Sequence, residues 1–230
     1  MIIDHTHPEY IKAREFTGKA KYNGCYYYSC EIVKNIIPNV DTKRDWNTVG
    51  RDLEGMHEGM IVFLHDNATP WHYNWLRDYT VEFGGKKEDC ILVCSSKYVA
   101  DSVQYWGKTI VLPMSVDTEY VKQFAVPEKT RDTCIVGNPW VVDNARTELP
   151  AGIDVLSAMP REDLLRELAK YRHCYAIDRC AIEAKVLGVE LLPLETRYSV
   201  DNVGNVLDNR EAAKILQEKL NEIDGGNNED

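Results

Sequence analysis

The stretch TIVLPMSVDTEYVKQF, residues 109–124, joins two similar halves of the chain. Its apolar run ends at Leu112, a short turn holds Val116 and Asp117, and the remainder, to Phe124, has apolar residues at helical spacing. We identify neither a catalytic nucleophile nor a set of metal ligands in this stretch. We therefore interpret it as the connection, and the hinge, between two folded halves.

On both sides of this junction, short continuous apolar runs alternate with helical patterns. Runs of this kind predict parallel strands whose sheets are covered on both faces. We predict an α/β fold in which two Rossmann-like, doubly wound parallel-sheet domains face a cleft. The predicted divisions are an N-terminal domain at 1–112, a C-terminal domain at 113–207, a helix at 208–224 that returns to the first domain, and a disordered tail at 225–230. The apolar runs lie at 60–64, 90–94, 109–112, 133–137, 152–156, 173–177 and 190–194.

The charge and the amino terminus limit the partners that we expect. The formal charge of −10 disfavours tight nonspecific binding to duplex DNA, while a single modified nucleotide stays open as a substrate. The first residues, MIIDHTHPEY, lack the basic and apolar regions of a secretion signal, and no apolar run approaches the roughly 20 residues that span a bilayer. We therefore predict a cytoplasmic protein with no membrane partner; the oligomeric state is left open.

The cysteines predict packing rather than chemistry. There are seven, an odd number, and none forms a CxxC pair, so neither a disulfide framework nor a zinc site is favoured. Several lie in apolar runs such as ILVC at 91–94, where a cysteine serves as a small hydrophobic residue.

Polar residues follow several predicted strands at the point where each strand ends. Ligands of such folds bind outside the carboxyl ends of the strands. This rule selects candidates after five of the strands: His65, Asp66 and Asn67; Ser95 and Ser96; Gly137 and Asn138; Ser157; and Ile177, Asp178 and Arg179.

Three segments, in order, resemble parts of GT-B-type glycosyltransferases, in particular those of glycosyltransferase family 4. The segment CSSKYVADSVQYWG at 94–107 is similar to a strand–helix of these enzymes, and IVLPMSVDTEYVKQF at 110–124 is similar to their interdomain junction. The segment RCAIEAKVLGVELLPL at 179–194 resembles their donor-site helix, with Glu183 in the E-A-x-x-x-G setting whose glutamate holds the donor ribose. The chain is shorter than such enzymes commonly are, and it lacks the second glutamate, seven residues upstream, of retaining members.

The resemblance implies a function and assigns one substrate to each domain. It implies transfer of a sugar from a nucleotide sugar, which we expect to be UDP-linked, to a hydroxyl acceptor, with no metal and no other cofactor. The first domain would hold the acceptor and the second the donor. Compact enzymes of this kind are frequent in bacteriophages, where they attach sugars to modified DNA bases or other phage components. The resemblance therefore implies DNA or a modified nucleotide as an acceptor. The cytoplasm would then be that of a host cell.

The donor residues follow from this resemblance together with the strand-end rule. Arg179 is expected to pair with phosphate beside a helix N-terminus, its alternative being a salt bridge with Asp178 or Glu183. Gly137 would let the backbone approach the ligand closely. The remaining donor-side candidates are Asn138, Ser157, Ile177 and Asp178.

The catalytic candidates are His65 and Asp66. If transfer inverts the anomeric configuration, Asp66 is the expected base; if it retains it, His65 supports the sugar and the leaving phosphate takes the proton. Both residues also have structural interpretations, Asp66 as a helix cap. The acceptor-side candidates are Asn67, Trp71 and Ser96.

Two other functions stay open from the sequence. One is a non-catalytic nucleotide or nucleotide-sugar binding protein on the same fold, since fold does not determine function. The other is a metal-dependent hydrolase similar to amidohydrolases, because His5 and His7 could point to the same side of a first strand and hold zinc. The chain is short for the eight-stranded barrel that this second function would require.

Overall fold

The computed structural model describes residues 2–3, 24–48, 59–64, 90–104, 107–137, 142–143, 145, 147–195 and 206–225. The strands are β1 (Ile2–Ile3), β2 (Trp46–Asn47), β3 (Ile61–Leu64), β4 (Ile91–Cys94), β5 (Lys108–Val111), β6 (Arg131–Val136), β7 (Asp154–Leu156), β8 (Tyr171–Tyr175) and β9 (Glu190–Leu192). The α-helices are α1 (Gly24–Glu31), α2 (Lys97–Val103), α3 (Thr118–Lys122), α4 (Arg161–Leu168), α5 (Asp178–Val186) and α6 (Asn209–Gly225). The predicted α/β class is confirmed.

The chain divides into two compact units. One contains Met1–Ile11, Ser29–Pro113 and Asn209–Asp230, and the other contains Lys12–Tyr28 and Met114–Asp208.

The first unit contains a five-stranded parallel sheet in the order β1-β2-β3-β4-β5. Every residue of β3 and β4 is buried, as a strand covered on both faces requires. Among the strands that the structure describes here, the order follows the sequence and does not reverse, so the reversal of a doubly wound sheet is not seen in this unit. The final helix, α6, packs on the helical segment Ile32–Asn39 within the same unit, and Gln217 exchanges two hydrogen bonds with the backbone of Asp41.

The second unit contains a four-stranded parallel sheet in the order β7-β6-β8-β9. The chain passes from β6 to β7 on one side and then returns to β8 on the other side of β6. This reversal creates a topological switch point between β6 and β8, which is the arrangement of a Rossmann-like sheet. Helices α4 and α5 pack their apolar faces on the sheet through Leu165, Leu168, Ala181, Ile182 and Ala184.

The junction that opens the second unit is held by hydrogen bonds of both side chains and backbone. The Asp117 carboxylate accepts a bond from Tyr120 N at 3.0 Å and so caps α3, the helix expected after the turn. Val116 N donates to the carbonyl oxygen of Leu207 at 3.1 Å. Oδ2 of Asp208 accepts from both the backbone N and the Oγ1 of Thr118, at 3.1 and 2.6 Å. The start and the end of the second unit are therefore bonded to each other.

Candidate functional site

The carboxyl edge of the second sheet brings together the ends of three neighbouring strands. Gly137 follows β6, Ser157 follows β7 and Ile177 lies shortly after β8. The backbone N of Gly137 donates to the carbonyl of Leu156 at 3.2 Å, which ties the end of β6 to the end of β7. Because the switch point lies between β6 and β8, this edge is where a Rossmann-like sheet offers a ligand site.

Two residues at this edge have strained backbones. Ala158 and Asp178 both have φ of 52°, in the left-handed region that side-chain-bearing residues rarely adopt. One follows the end of β7 and the other begins α5 after β8. Each such residue costs on the order of 1–3 kcal/mol, and strain of this kind clusters at functional sites. Both left-handed, non-glycine residues of the described chain therefore lie where the fold predicts a ligand.

A buried carboxylate with two guanidinium groups forms the core of the site. Oε1 of Glu183 accepts hydrogen bonds from Arg179 Nε at 2.9 Å and from Arg161 Nε at 3.2 Å, and Nη2 of Arg161 lies 3.0 Å from the same oxygen as an ion pair. The side chains are almost inaccessible, with 2% of Glu183, 8% of Arg179 and 12% of Arg161 exposed. Within the described part of the chain, every contact of this carboxylate uses Oε1. Two positive charges therefore share one negative charge out of bulk water.

Arg161 is positioned by its neighbours on α3 and α4. It is the first residue of α4, and its guanidinium lies over the ring of Tyr120 at 5.3 Å. The hydroxyl of Tyr120 donates to Glu162 at 3.3 Å, and burial together with this carboxylate raises the pKa of Tyr120. The aromatic ring and the Glu183 carboxylate therefore hold the Arg161 guanidinium from two sides.

The surroundings of Arg161 disfavour its positive charge. Burial, and then the Arg179 guanidinium, lower the pKa of Arg161 to about 10, while Glu183 and Tyr27 act in the opposite direction. A cation at the first position of a helix is also disfavoured by the helix dipole. An anion beside these two guanidinium groups would offset the cost that burial and Arg179 impose on the charge of Arg161.

Lys129 joins the opposite ends of the two helices that carry these residues. Its Nζ donates to the carbonyl of Ala169 at 2.8 Å and to that of Leu187 at 2.7 Å, which are the C-terminal caps of α4 and α5. Burial lowers the pKa of this ammonium group. The two helices are therefore joined at two places, by Lys129 at their C-termini and by the contact of Arg161, the first residue of α4, with Glu183 in the second turn of α5.

The structure brings part of the predicted donor site together. Arg179 and Glu183 are one helical turn apart and bonded, the salt bridge that the sequence left open as an alternative for Arg179. Ile177 is the N-cap residue of α5 and Asp178 its first residue. Ser157 Oγ is buried and has no hydrogen-bond partner among the described residues. Gly137 lies at the neighbouring strand end.

Of the predicted catalytic and acceptor-side residues, the structure describes Ser96. Ser96, in the first unit, caps α2 by accepting from Val99 N at 3.2 Å. The remaining predicted residues lie outside the described residues: His65, Asp66, Asn67, Trp71 and Asn138, together with His5 and His7 of the alternative metal site.

Arg161, in the helix REDLLREL, is a residue to which the sequence analysis assigns no function. The signal available was a cation at the first helical position, where the helix dipole favours acids. This exception indicates that another interaction retains the arginine at this place.

In the described parts of the chain, no helix has the length and apolar character needed to cross a bilayer. Comparison of the chain with models of known protein families, with curated proteins and with solved structures finds no match.

Proposed function

We propose that the chain is a GT-B-like glycosyltransferase that moves a sugar from a nucleoside diphosphate sugar to a hydroxyl acceptor, with the donor bound by the second unit. The observation that carries this proposal is the pair of guanidinium groups on the buried carboxylate of Glu183, at the carboxyl edge beside the β6–β8 switch point. We take the donor to be UDP-linked and held without a metal, and the acceptor to be a hydroxyl group, with a modified DNA base as one candidate.

The phosphate contacts are assigned to the arginines. Arg179 lies in the first turn of α5, where backbone N–H groups and the helix dipole favour an anion. Guanidinium groups match phosphate oxygens with two parallel hydrogen bonds. Departure of a diphosphate from the sugar requires stabilisation of its developing charge, which the two guanidinium groups would supply.

The ribose contact is assigned to Glu183. An ionised carboxylate has about four acceptor positions, and all contacts of Glu183 to described residues involve Oε1. Oε2 is therefore the oxygen that we assign to a ribose hydroxyl. The buried Ser157 Oγ, at the end of β7, is a second group that could bond a donor hydroxyl.

The acceptor chemistry is assigned to His65 and Asp66, which lie outside the described residues. In an inverting reaction Asp66 would remove the proton of the acceptor hydroxyl. In a retaining reaction His65 would support the sugar while the leaving phosphate accepts this proton. Asn67, Trp71 and Ser96 are proposed to contact the acceptor.

Binding is tested first, by calorimetric titration of the protein with UDP, GDP, ADP and TDP and with their sugar conjugates. We expect one base to bind, and we expect Arg179→Gln and Glu183→Gln to weaken its binding about tenfold or more, since each loses a hydrogen bond to a charged group. Arg166→Gln is the matched control, because Arg166 forms exposed pairs with Glu162 and Asp163. Unchanged affinity in Arg179→Gln and Glu183→Gln would remove the donor assignment.

Turnover distinguishes the transferase from a second candidate, a nucleotide-sugar binding protein without activity. This candidate is favoured by the nearly complete burial of the Glu183 carboxylate and by its bonds to two arginines. The experiment follows slow release of free sugar from the bound conjugate by mass spectrometry. Release that is lost in Asp66→Asn supports transfer chemistry, whereas tight binding with no release supports the binding protein.

A further inference from the structure

Ser157, the residue after β7, has a hydroxyl group that the described part of the protein does not satisfy. Its Oγ is buried and makes no hydrogen bond among the described residues, although the residue as a whole is partly exposed. A buried hydroxyl normally has a partner, because an unmade hydrogen bond lowers stability. Packing alone therefore does not explain why a serine occupies this position.

The next residue adds a second unfavourable feature to the same turn. Ala158 has φ of 52°, a left-handed conformation that glycine adopts without penalty and alanine does not. Ser157→Ala and Ala158→Gly would each remove one of these costs. Unsatisfied groups and backbone strain persist where they serve function at the expense of stability. The turn that begins with Ser157 is therefore better explained by a ligand than by the fold.

The position of this turn relative to the arginines indicates which part of a donor would reach it. Glu183 and Arg179 lie on α5, which follows β8, whereas Ser157 follows β7, and β6 lies between these two strands. Adjacent strands are about 4.8 Å apart, so the ends of β7 and β8 are separated by about 10 Å. Arg161, which follows Ser157 in the chain, approaches Glu183 from the β7 side. Along this edge the order of groups is therefore carboxylate, guanidinium groups and hydroxyl.

This order matches that of a nucleotide sugar, in which the diphosphate lies between the ribose and the transferred sugar. Taking the proposed donor site as the premise, we propose that Ser157 determines the sugar specificity of this site. Its hydroxyl forms a hydrogen bond with a hydroxyl group of the transferred sugar, while Glu183 holds the ribose and the arginines hold the diphosphate. Rotation about χ1 to another staggered position moves Oγ out of its buried place. This rotation breaks no hydrogen bond to the described residues, since Oγ has none there.

The test compares the binding of UDP with that of UDP-glucose, UDP-galactose and UDP-N-acetylglucosamine, by calorimetry, to the full chain and to Ser157→Ala. If another base is selected in the binding panel, the diphosphate and the sugar conjugates of that base are used. In Ser157→Ala we expect the best-bound conjugate to lose about fivefold or more in affinity, the effect of one hydrogen bond, and UDP to lose less than about twofold. Ser102→Ala is the matched control, because Ser102 Oγ donates to the carbonyl of Val99 in the first unit, and both affinities should stay unchanged in it.

Amide exchange gives a readout that a structural serine would move in the opposite direction. Exchange at the buried amides of β6 and β8 should be unchanged or slower in Ser157→Ala, because the substitution removes an unsatisfied group. Faster exchange would show that Oγ stabilises the fold through a partner of its own, and this result would overturn the inference.

The binding outcomes separate this inference from the proposed function. Equal losses for UDP and its conjugates in Ser157→Ala would assign Ser157 to the nucleotide and overturn the sugar contact, and no loss for either would overturn any ligand contact; both leave the donor site intact. If no nucleoside diphosphate or conjugate binds the wild type, the donor site itself is wrong and the inference falls with it.

The wild-type protein decides the question if Ser157→Ala fails to fold. The best-bound conjugate is compared with analogues in which one sugar hydroxyl at a time is replaced by hydrogen. Loss of one particular hydroxyl should weaken binding about fivefold, and in a folded Ser157→Ala this loss should disappear. If no analogue binds the wild type less tightly than its parent, no sugar hydroxyl is recognised and the inference is wrong.

Discussion

Nε of Arg161 lies 3.2 Å from Oε1 of Glu183, although 22 residues separate the two side chains in the sequence. The contact joins the first residue of α4 to the second turn of α5 at the carboxyl edge of the sheet. A cation in an unfavourable position on one helix is thus neutralised in part by a buried acid on the next. The stability of the second unit and its affinity for anions should therefore depend on the same carboxylate.

We predict that Glu183→Gln destabilises the second unit by about 3–5 kcal/mol, because it removes the negative partner from a buried ion pair. The measurement is hydrogen exchange at the buried amides of β6 and β8, which reports on this unit without assuming a two-state transition for the whole chain. Inorganic pyrophosphate should recover stability in Glu183→Gln more than it stabilises the wild type, because it replaces the lost negative charge.

The matched control is Glu162→Gln. Glu162 forms an exposed pair with Arg166 at 2.9 Å, and exposed pairs contribute about 0–1 kcal/mol. If Glu183→Gln destabilises the unit no more than this control does, the cluster is not the buried electrostatic centre described above.

Lys129→Met should loosen the pair of helices from their C-terminal ends. The substitution keeps most of the side-chain length but removes both hydrogen bonds to the caps of α4 and α5 and a cation that favours these helix ends. We expect a loss of about 3 kcal/mol, since each hydrogen bond from a charged group contributes about 1.5–3 kcal/mol net of its exchange with water. Amide exchange in the last turns of both helices checks this.

Two further variants make this prediction specific. Lys129→Arg keeps the charge and the donors and should recover part of the loss. Lys122→Met, an exposed lysine in the last turn of α3, should change stability by only a few tenths of a kcal/mol. Faster exchange in only one of the two helices of Lys129→Met would show that the lysine does not join them.

The bond between the start and the end of the second unit is tested by a double-mutant cycle. Oδ2 of Asp208 accepts from both the N and the Oγ1 of Thr118, so Asp208→Ala and Thr118→Val should each destabilise the unit and show a coupling of about 1 kcal/mol. Asp208→Asn, whose amide oxygen can accept the same bonds, should be close to the wild type. A coupling near zero, measured by denaturant unfolding, would mean that these bonds do not contribute to stability.

The class of fold could be predicted because parallel strands covered on both faces leave a local signal. The runs at β3 and β4 are apolar on both faces of the strand, the second half of β6 is likewise buried, and helical periodicity fills the intervals between most of the runs. The order of the strands leaves no such signal. Nothing in the alternation of strand and helix distinguishes the sequential order of the first sheet from the reversed order of the second.

The site was predictable to the extent that it is local. Arg179 and Glu183 are four residues apart on one helix, so their proximity follows from helical geometry. The contribution of Arg161 depends on the approach of a second helix, which sequence spacing does not give. The same limit applies to the Thr118–Asp208 bonds, which join residues 90 positions apart.

The buried cysteines give the final prediction. Burial raises the pKa of the thiols of Cys94, Cys134 and Cys174 to about 12, in agreement with the prediction that cysteines in apolar runs pack as small hydrophobic residues. At pH 8 these thiols should not react with iodoacetamide in the native protein, because the thiolate is the reactive form. All three should react after unfolding in guanidinium chloride, and mass spectrometry of the labelled peptides identifies each site.

The same raised pKa values determine the sign of the pH dependence of the free energy of unfolding. The folded protein keeps these protons up to about pH 12, whereas the unfolded chain releases them near pH 9, so the folded state binds more protons over this range. The free energy of unfolding should therefore fall as the pH rises from 9 toward 12, by up to about 1.4 kcal/mol per pH unit for each thiol. Cys134→Ala should reduce this slope by the contribution of one thiol, although it also lowers stability at neutral pH by removing a buried side chain. An unchanged slope in Cys134→Ala, or rapid labelling of Cys134 in the native protein at pH 8, would show that this thiol is accessible to water.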